Sequence, residues 1–309
     1  MEPANNNPVT SSAKPRRLLL CLWAALAVLI LGVGIALLRN NFSFHQKSRA
    51  TFDAQLDREL DSAFTWIKDN AIVSERNATM MYMIAEMESM THDPRLQVVL
   101  DGFKKNYLMH PESRFELVWR RLVDPNATVP IGSVPEMGDD VVDSVWYAHA
   151  LAPDKILLTD EDRANLFSPT AYSWGTRQKQ LLALAIYLEH NGRSPQLDNA
   201  INPVAEKVAR DAHYDVRLTD SYIQRIAFLL AARRPDLVRP RWVDRIMDHQ
   251  NADGSWNSCW YGWCRGVFEF STDYKTDVGG LGHAAVQAAW ALTMLKYRYP
   301  QWIEEHYHN

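Results

Sequence analysis

The chain has 309 residues, 33 of them basic and 37 acidic, with a formal charge of −4 and 47% apolar residues. From Phe42 onward it carries 29 basic and 36 acidic residues, a balance that argues against nucleic-acid binding, because phosphate recognition needs a basic surface. Eleven Trp, twelve Tyr and ten Phe supply enough core-forming surface to exclude a disordered chain.

The first predicted element is an uninterrupted apolar run of 21 residues, Leu18 to Leu38. About 20 residues at a rise of ~1.5 Å cross a hydrocarbon layer ~30 Å thick, so the run is long enough to span one. A cleaved signal peptide is the alternative, but its apolar region is only about 7 to 15 residues long and ends at small residues. Here the run closes on Ile35, Ala36, Leu37, Leu38 and Arg39. The expectation is therefore an N-terminal tail over 1–17, an uncleaved signal anchor over 18–38 that partners the bilayer, and one large domain over 42–309. Lys14, Arg16 and Arg17 precede the run and Arg39 follows it, with Lys47 and Arg49 a little further on. That mild bias puts the tail in the cytoplasm and the large domain outside or in a lumen.

Asn41, Asn77 and Asn126 each begin an N-x-S/T acceptor pattern for glycosylation; Asn41 lies too near the membrane, which leaves Asn77 and Asn126. Cys21 sits inside the apolar run as a small hydrophobe. Cys259 and Cys264, spaced C-x4-C, are either a disulfide in an oxidising compartment or two free thiols.

Beyond the anchor the period is helical and strand signals are lacking. Phe52, Leu56, Leu60, Phe64 and Ile67 form an i, i+4 stripe, and Met80 to Met90, Leu96 to Tyr107 and Phe115 to Val123 continue it less cleanly, the methionines reading as adaptable core. After a loop from Asp124 to Gly138, helices are predicted over Val141–Ala150, Arg177–Glu189, Val204–Ala212, Ser221–Ala232, Trp242–Gln250 and His283–Tyr297. Thr219-Asp220 is a candidate cap, while Gly192, Pro195 and Pro300 read as stops. Asp143–Ala152 and Asp220–Leu229 share an Asp-Ser start before an apolar helix, and Gln287–Leu295 is similar in character, which suggests degenerate helical hairpins of about 40 residues.

The sharpest local signal is Gln250-Asn251-Ala252-Asp253-Gly254-Ser255-Trp256. Asp253-Gly254 is a strong turn pair, and a planar Gln amide can stack on an indole while its polar atoms tie down loose backbone groups. The segment resembles the Gln-Trp repeat, Q-x-x-D-G-(S/G)-W, of squalene and hopene cyclases. Downstream, Val286-Gln287-Ala288-Ala289-Trp290-Ala291-Leu292 is similar to the S-Q-T-A-W-A-L helix that follows the motif in that family. The resemblance covers Pro240 to Leu295. It implies an all-α fold, an α/α toroid of antiparallel helical hairpins in inner and outer rings, in which Gln250, Asp253, Gly254 and Trp256 clamp helix ends. Protein prenyltransferase β-subunits, complement thioester domains and some polysaccharide lyases share that fold, so the fold cannot choose a function.

The departures from the family carry weight. The protonating D-x-D-D of the cyclases is missing, the nearest string being Met137-Gly138-Asp139-Asp140, so cyclisation has no acid to start it. Asp139, Asp140 and Asp143 fit a D-D-x-x-D string that binds magnesium diphosphate in class I terpene synthases, a different fold, and an acidic helix start accounts for the same residues. No Cys-Gly-Glu-Gln thioester is present, and Cys264, Asp277 and His283 do not reproduce the zinc-ligand order of prenyltransferases. No metal or other cofactor is expected.

From Asn251 to Gly282 no helical period is visible, a stretch longer than the ~12 to 15 residues usual for a structureless connection. Trp256, Trp260, Trp263 and Tyr274 are the candidate cavity aromatics, and Glu269, Asp273, Asp277 and His283 the candidate acid/base groups. The same loop could instead be a lid over the toroid mouth, pinned by Cys259 and Cys264. Two functions are carried forward: a toroid that binds a small-molecule, glycan or lipid ligand without cyclase chemistry, and an enzyme of that fold, either a carbohydrate lyase or hydrolase or a diverged isoprenoid enzyme.

Overall fold

The computed structural model describes residues 13–43, 47–70, 78–109, 118–129, 142–168, 174–256 and 282–308, and among them the regular elements are all helices. They are α1 (Ala13–Asn41), α2 (Arg49–Asp69), α3 (Ala78–Thr91), α4 (Pro94–Phe103), α5 (Arg120–Val123), α6 (Val142–Leu151), α7 (Asp160–Phe167), α8 (Trp174–Asn191), α9 (Pro195–Tyr214), α10 (Asp220–Ala231), α11 (Pro240–Asp248), α12 (Gly282–Tyr297) and α13 (Pro300–His306). Residues Leu18–Asn41 of α1 are long and apolar enough to cross a membrane, and none of their apolar window is buried among the described residues.

Helices α6, α8, α10, α12 and α3 are successive neighbours; α9 packs against both α8 and α10, and α2 against both α12 and α4. Every residue of α10 is buried, as is α12 from Ala284 to Leu295. A helix surrounded on all sides is apolar all round, which is why Ala, Leu and Trp fill α12. Helix α9, in contrast, buries Leu197, Ala200, Ile201, Val204, Ala205, Val208 and Ala212, the one-sided spacing of a helix with an exposed face.

Local signals explain the starts. The side chains of Ser48, Asp93, Thr159, Ser194 and Thr219 accept hydrogen bonds from first-turn amides of α2, α4, α7, α9 and α10, the capping role of these residue types. Pro195 and Pro300, expected as stops, begin α9 and α13 instead. A proline at the first helical position gives up an amide that has no partner there and brings a preset φ. Consequently α9 starts nine residues before its predicted Val204 and α13 was not anticipated; α7, which starts after a Thr159 cap, was not anticipated either.

Immediately after the apolar run come two buried amides, Asn40 and Asn41, 1% and 5% exposed. The Asn40 Nδ2 donates to the carbonyls of Ala212 and His213, both at 3.0 Å, at the end of α9. Its Oδ1 accepts from Tyr222 Oη on α10 at 3.0 Å and from the Arg245 guanidinium on α11. Asn41 donates to His213 O at 2.9 Å and accepts from Trp242 Nε1 at 3.2 Å, and Arg241 Nε holds the Arg39 carbonyl at 2.9 Å. The connection to α2 is strapped to α11 as well: Ser43 Oγ donates to Asp244, and Lys47 pairs with Asp248 at 2.7 Å. Helix α1 therefore ends docked on the domain.

The Gln250–Trp256 segment ties α11 to α2. Gln250 Nε2 donates to Glu59 O at 2.8 Å and Gly254 O at 3.1 Å, and Trp256, fully buried, donates from Nε1 to Ile246 O at 2.8 Å. Asp253 Oδ1 accepts from both the amide and the hydroxyl of Ser255. Gly254 has φ +92°, and a Cβ there would lie 2.3 Å from Ser62 O on α2, so only glycine fits. Gly254→Ala is expected to cost about 3 kcal/mol or more, combining a left-handed φ with a backbone clash, read as a lowered midpoint in chemical denaturation.

Glu59, at the centre of this junction, is 4% exposed, and one of its oxygens accepts from Gln55 Nε2 while the other has no partner among the described residues. Burial pushes its carboxyl up to about 7 from an ordinary 4.5. Between those values the folded chain holds a proton that the unfolded chain has lost, so this group's destabilising contribution is absent below the unfolded value and grows as pH rises towards 7. Glu59→Gln should flatten that slope, with a gain over the parent of up to about 3 kcal/mol at pH 8 and little at pH 4.5, measured as the difference between their denaturation curves.

Candidate functional site

Three neighbouring helices, α8, α10 and α12, carry polar side chains near their starts where apolar ones would be expected. Asp220 is the first residue of α10 and Gln224 lies one turn on; His283 is the second residue of α12 and Gln287 lies one turn on. The i, i+4 spacing puts each pair on one helix face. Gln178 of α8 completes the row. All but His283 are buried, and the His283 side chain is 16% exposed.

The row holds two hydrogen-bonded groups, Gln178 with Gln224 and Asp220 with His283 and Gln287. Gln178 Nε2 donates to Gln224 Oε1. His283 Nδ1 lies 2.8 Å from Asp220 Oδ1, and because an ionised carboxylate only accepts, this contact assigns the proton to Nδ1. The lone pair then sits on Nε2; Gln287 Nε2 lies 3.3 Å from it and 3.1 Å from Nδ1. A buried carboxylate that fixes the imidazole tautomer and leaves Nε2 basic is the arrangement that serves proton transfer. The Oε1 atoms of Gln178 and Gln287 are buried with no hydrogen-bond partner among the described residues, which costs roughly 1 to 3 kcal/mol each when nothing satisfies them.

Of the residues predicted from sequence, His283 belongs to this row. Glu269, Asp273, Asp277, Trp260, Trp263, Tyr274, Cys259, Cys264 and Asn77 lie outside the described residues. Trp256 is fully buried and held by Ile246 O of α11. Asn126 is exposed in a turn in which its amide donates to Asp124, whereas Asn41 is buried at the docked end of α1. Among the described residues no group of three or more His, Cys, Asp or Glu is placed to hold a metal. Asp220, Gln178, Gln224 and Gln287 were missed as site residues. The available signal was the repeated Asp-Ser helix start together with the matched i, i+4 spacing of Asp220/Gln224 and His283/Gln287.

No protein-family model, curated protein or solved structure matches the chain, so the geometry is the sole guide to the site. If Asp220 orients His283, the two are energetically coupled. Asp220→Ala and His283→Ala should each destabilise by about 1 to 3 kcal/mol, and the double variant by less than their sum; a denaturant double-mutant cycle measures the difference.

Proposed function

We propose that the chain is a single-pass membrane protein whose helical domain is an α/α toroid that binds a small-molecule, glycan or lipid ligand at the starts of α8, α10 and α12, without cyclase chemistry. The observation that carries the reading is the pair of buried amide oxygens, on Gln178 and Gln287, that lack partners among the described residues near the Asp220 and His283 pair. Buried acceptors without partners mark places where a hydroxyl or amide of a ligand gains a full hydrogen bond. The toroid is supported by the side-by-side order of α6, α8, α10 and α12 with α9 packed outside two of them, and by the Gln-Trp resemblance. The anchor is supported by the length and composition of α1, and the lumenal or external side by the basic tail.

The enzyme reading is favoured by one specific observation, the Nδ1 to carboxylate contact that leaves Nε2 of His283 basic. In that reading His283 takes or gives the proton and Asp220 positions it.

Thermal melts of the detergent-solubilised full chain with chitohexaose, xylohexaose and farnesol test the binding site. At a concentration about a hundredfold above Kd, one class should raise Tm by about 5 to 10 °C, and Gln178→Leu and Gln287→Leu should abolish the rise. Leucine variants that melt at or above the parent, with no shift from any of the three, would show that the row is only packing. Mass spectrometry of the same mixtures separates the enzyme: turnover abolished by His283→Asn supports it, and unchanged probes alongside a binding shift leave the binding protein. Orientation is read from sealed vesicles, in which external protease should digest 42–309 only where that domain faces out.

A further inference from the structure

The docked end of α1 fixes which face of the domain meets the bilayer. Asn40 stands two residues past Leu38, the last residue of the apolar run, a rise of about 3 Å, while the polar headgroup region on each side of the hydrocarbon is on the order of 6 Å deep. Whatever Asn40 and Asn41 bind is thus held at headgroup level. They bind the last turn of α9, the first turn of α10 and the body of α11.

The side chains beside those contacts are of two kinds. Phe42 and Tyr214 are large aromatic residues exposed at 55% and 63%. Arg39 and Arg210 are exposed, and Arg239 and Arg241 partly so. The Arg239 guanidinium stacks over both Phe42 and Trp242, at 5.9 and 5.6 Å. Arg210 and Tyr214, four residues apart on α9, share a face. Burial and the Arg239 charge together hold the nearby His213 imidazole below its ordinary pKa. The neighbouring acids are engaged inward: Asp211 pairs with Arg177 at 2.9 Å, and Asp215 with Arg217 at 2.8 Å and Arg225 at 2.7 Å. Asp248 takes Lys47 at 2.7 Å, with Arg241 at 3.9 Å. In a chain whose large domain is acidic overall, a basic and aromatic face at the anchor's exit has the composition of a membrane interface.

We infer that the face formed by Arg39, Phe42, Arg210, Tyr214, Arg239 and Arg241 binds anionic phospholipid headgroups of the bilayer that α1 enters. The guanidinium groups take the phosphates as forked donors, and the two aromatic rings seat at the headgroup boundary. The inference rests on the reading of α1 as an anchor and is independent of the ligand assigned to the Asp220 and His283 row.

The full chain is reconstituted into vesicles of phosphatidylcholine with equimolar phosphatidylglycerol, extracted with alkaline carbonate, then released into detergent for native mass spectrometry. The embedded chain should retain phosphatidylglycerol at least threefold over phosphatidylcholine. Arg239→Gln/Arg241→Gln should bring the ratio close to parity. Because those two side chains also touch the docked helix end, Arg210→Gln/Tyr214→Ala is the second variant; it leaves every docking contact in place and should lower the ratio at least twofold with an unchanged melt. Hydrogen exchange over 207–217 should be slower in phosphatidylglycerol vesicles than in phosphatidylcholine alone. Parity in the embedded parent, a ratio unmoved in both double variants, or a preference lost only in Lys14→Gln/Arg16→Gln/Arg17→Gln overturns this inference while the anchor stands. Release by carbonate overturns the anchor and this inference with it.

Discussion

Two asparagine amides that cannot be left unpaired organise the described part of this molecule. Asn40 and Asn41 end a helix that carries an apolar run of 21 residues, Leu18 to Leu38, and burying an amide without partners costs several kcal/mol. Their partners come from three separate helices: carbonyls at the end of α9, a hydroxyl on α10, and an indole and a guanidinium on α11. The same carbonyls of Ala212 and His213 belong to the last turn of α9, which a helix always leaves without intrahelical donors, so the anchor's amides and the end of α9 complete one another. Arg245, buried in α11, has its charge spread between Asn40, the Val216 carbonyl and the ring of Tyr222 at 4.7 Å, a cation–π contact that replaces part of its lost hydration. Remove the amides and a phenol, a guanidinium and two carbonyls lose partners together.

The row of Asp220, His283, Gln224, Gln287 and Gln178 follows from the same geometry. Tyr222, which reaches Asn40, lies two residues from Asp220 on the first turn of α10, so the row stands at the docked end of the bundle. Packing alone does not require it: α10 and α12 are buried helices in which alanine or leucine at these positions would make the same contacts without polar groups to satisfy. The Asp220 carboxylate gains from its place in the first turn of α10, where the helix dipole favours negative charge. It holds His283 in one tautomer, which a purely apolar filler would not need.

Helix existence was legible from the period of the apolar residues, as at Phe52, Leu56, Leu60, Phe64 and Ile67, all buried in α2. Helix beginnings were less so, because a proline stops a helix when it falls inside and starts one when it falls at the first position, and Pro195 and Pro300 read identically in both cases. The Gln250–Trp256 segment was legible as a clamp through its resemblance to the Gln-Trp repeat, but its target was not. That Gly254 abuts Ser62, some 190 residues earlier, is a tertiary fact that no local pattern encodes. Asp220 was readable as a residue following a cap; its pairing with His283, across 63 positions, depends on α10 and α12 lying side by side. The carboxylates and aromatics between 257 and 281 were legible only as composition.

Residues 13–41 form one continuous helix ending in bonded amides, and the segment after it is strapped to α11 through Ser43 and Lys47. Both described ends of that join are bonded to the domain. An apolar stretch of 21 residues is roughly 32 Å long, close to the thickness of an average hydrocarbon layer, and helices adapt to thinner layers by leaning. With a flexible tether that lean would be lost between the helix and the domain. Here the whole helical bundle would lean with α1, so in an anchored chain bilayer thickness becomes a mechanical input to the angle at which the Asp220 and His283 end meets the surface.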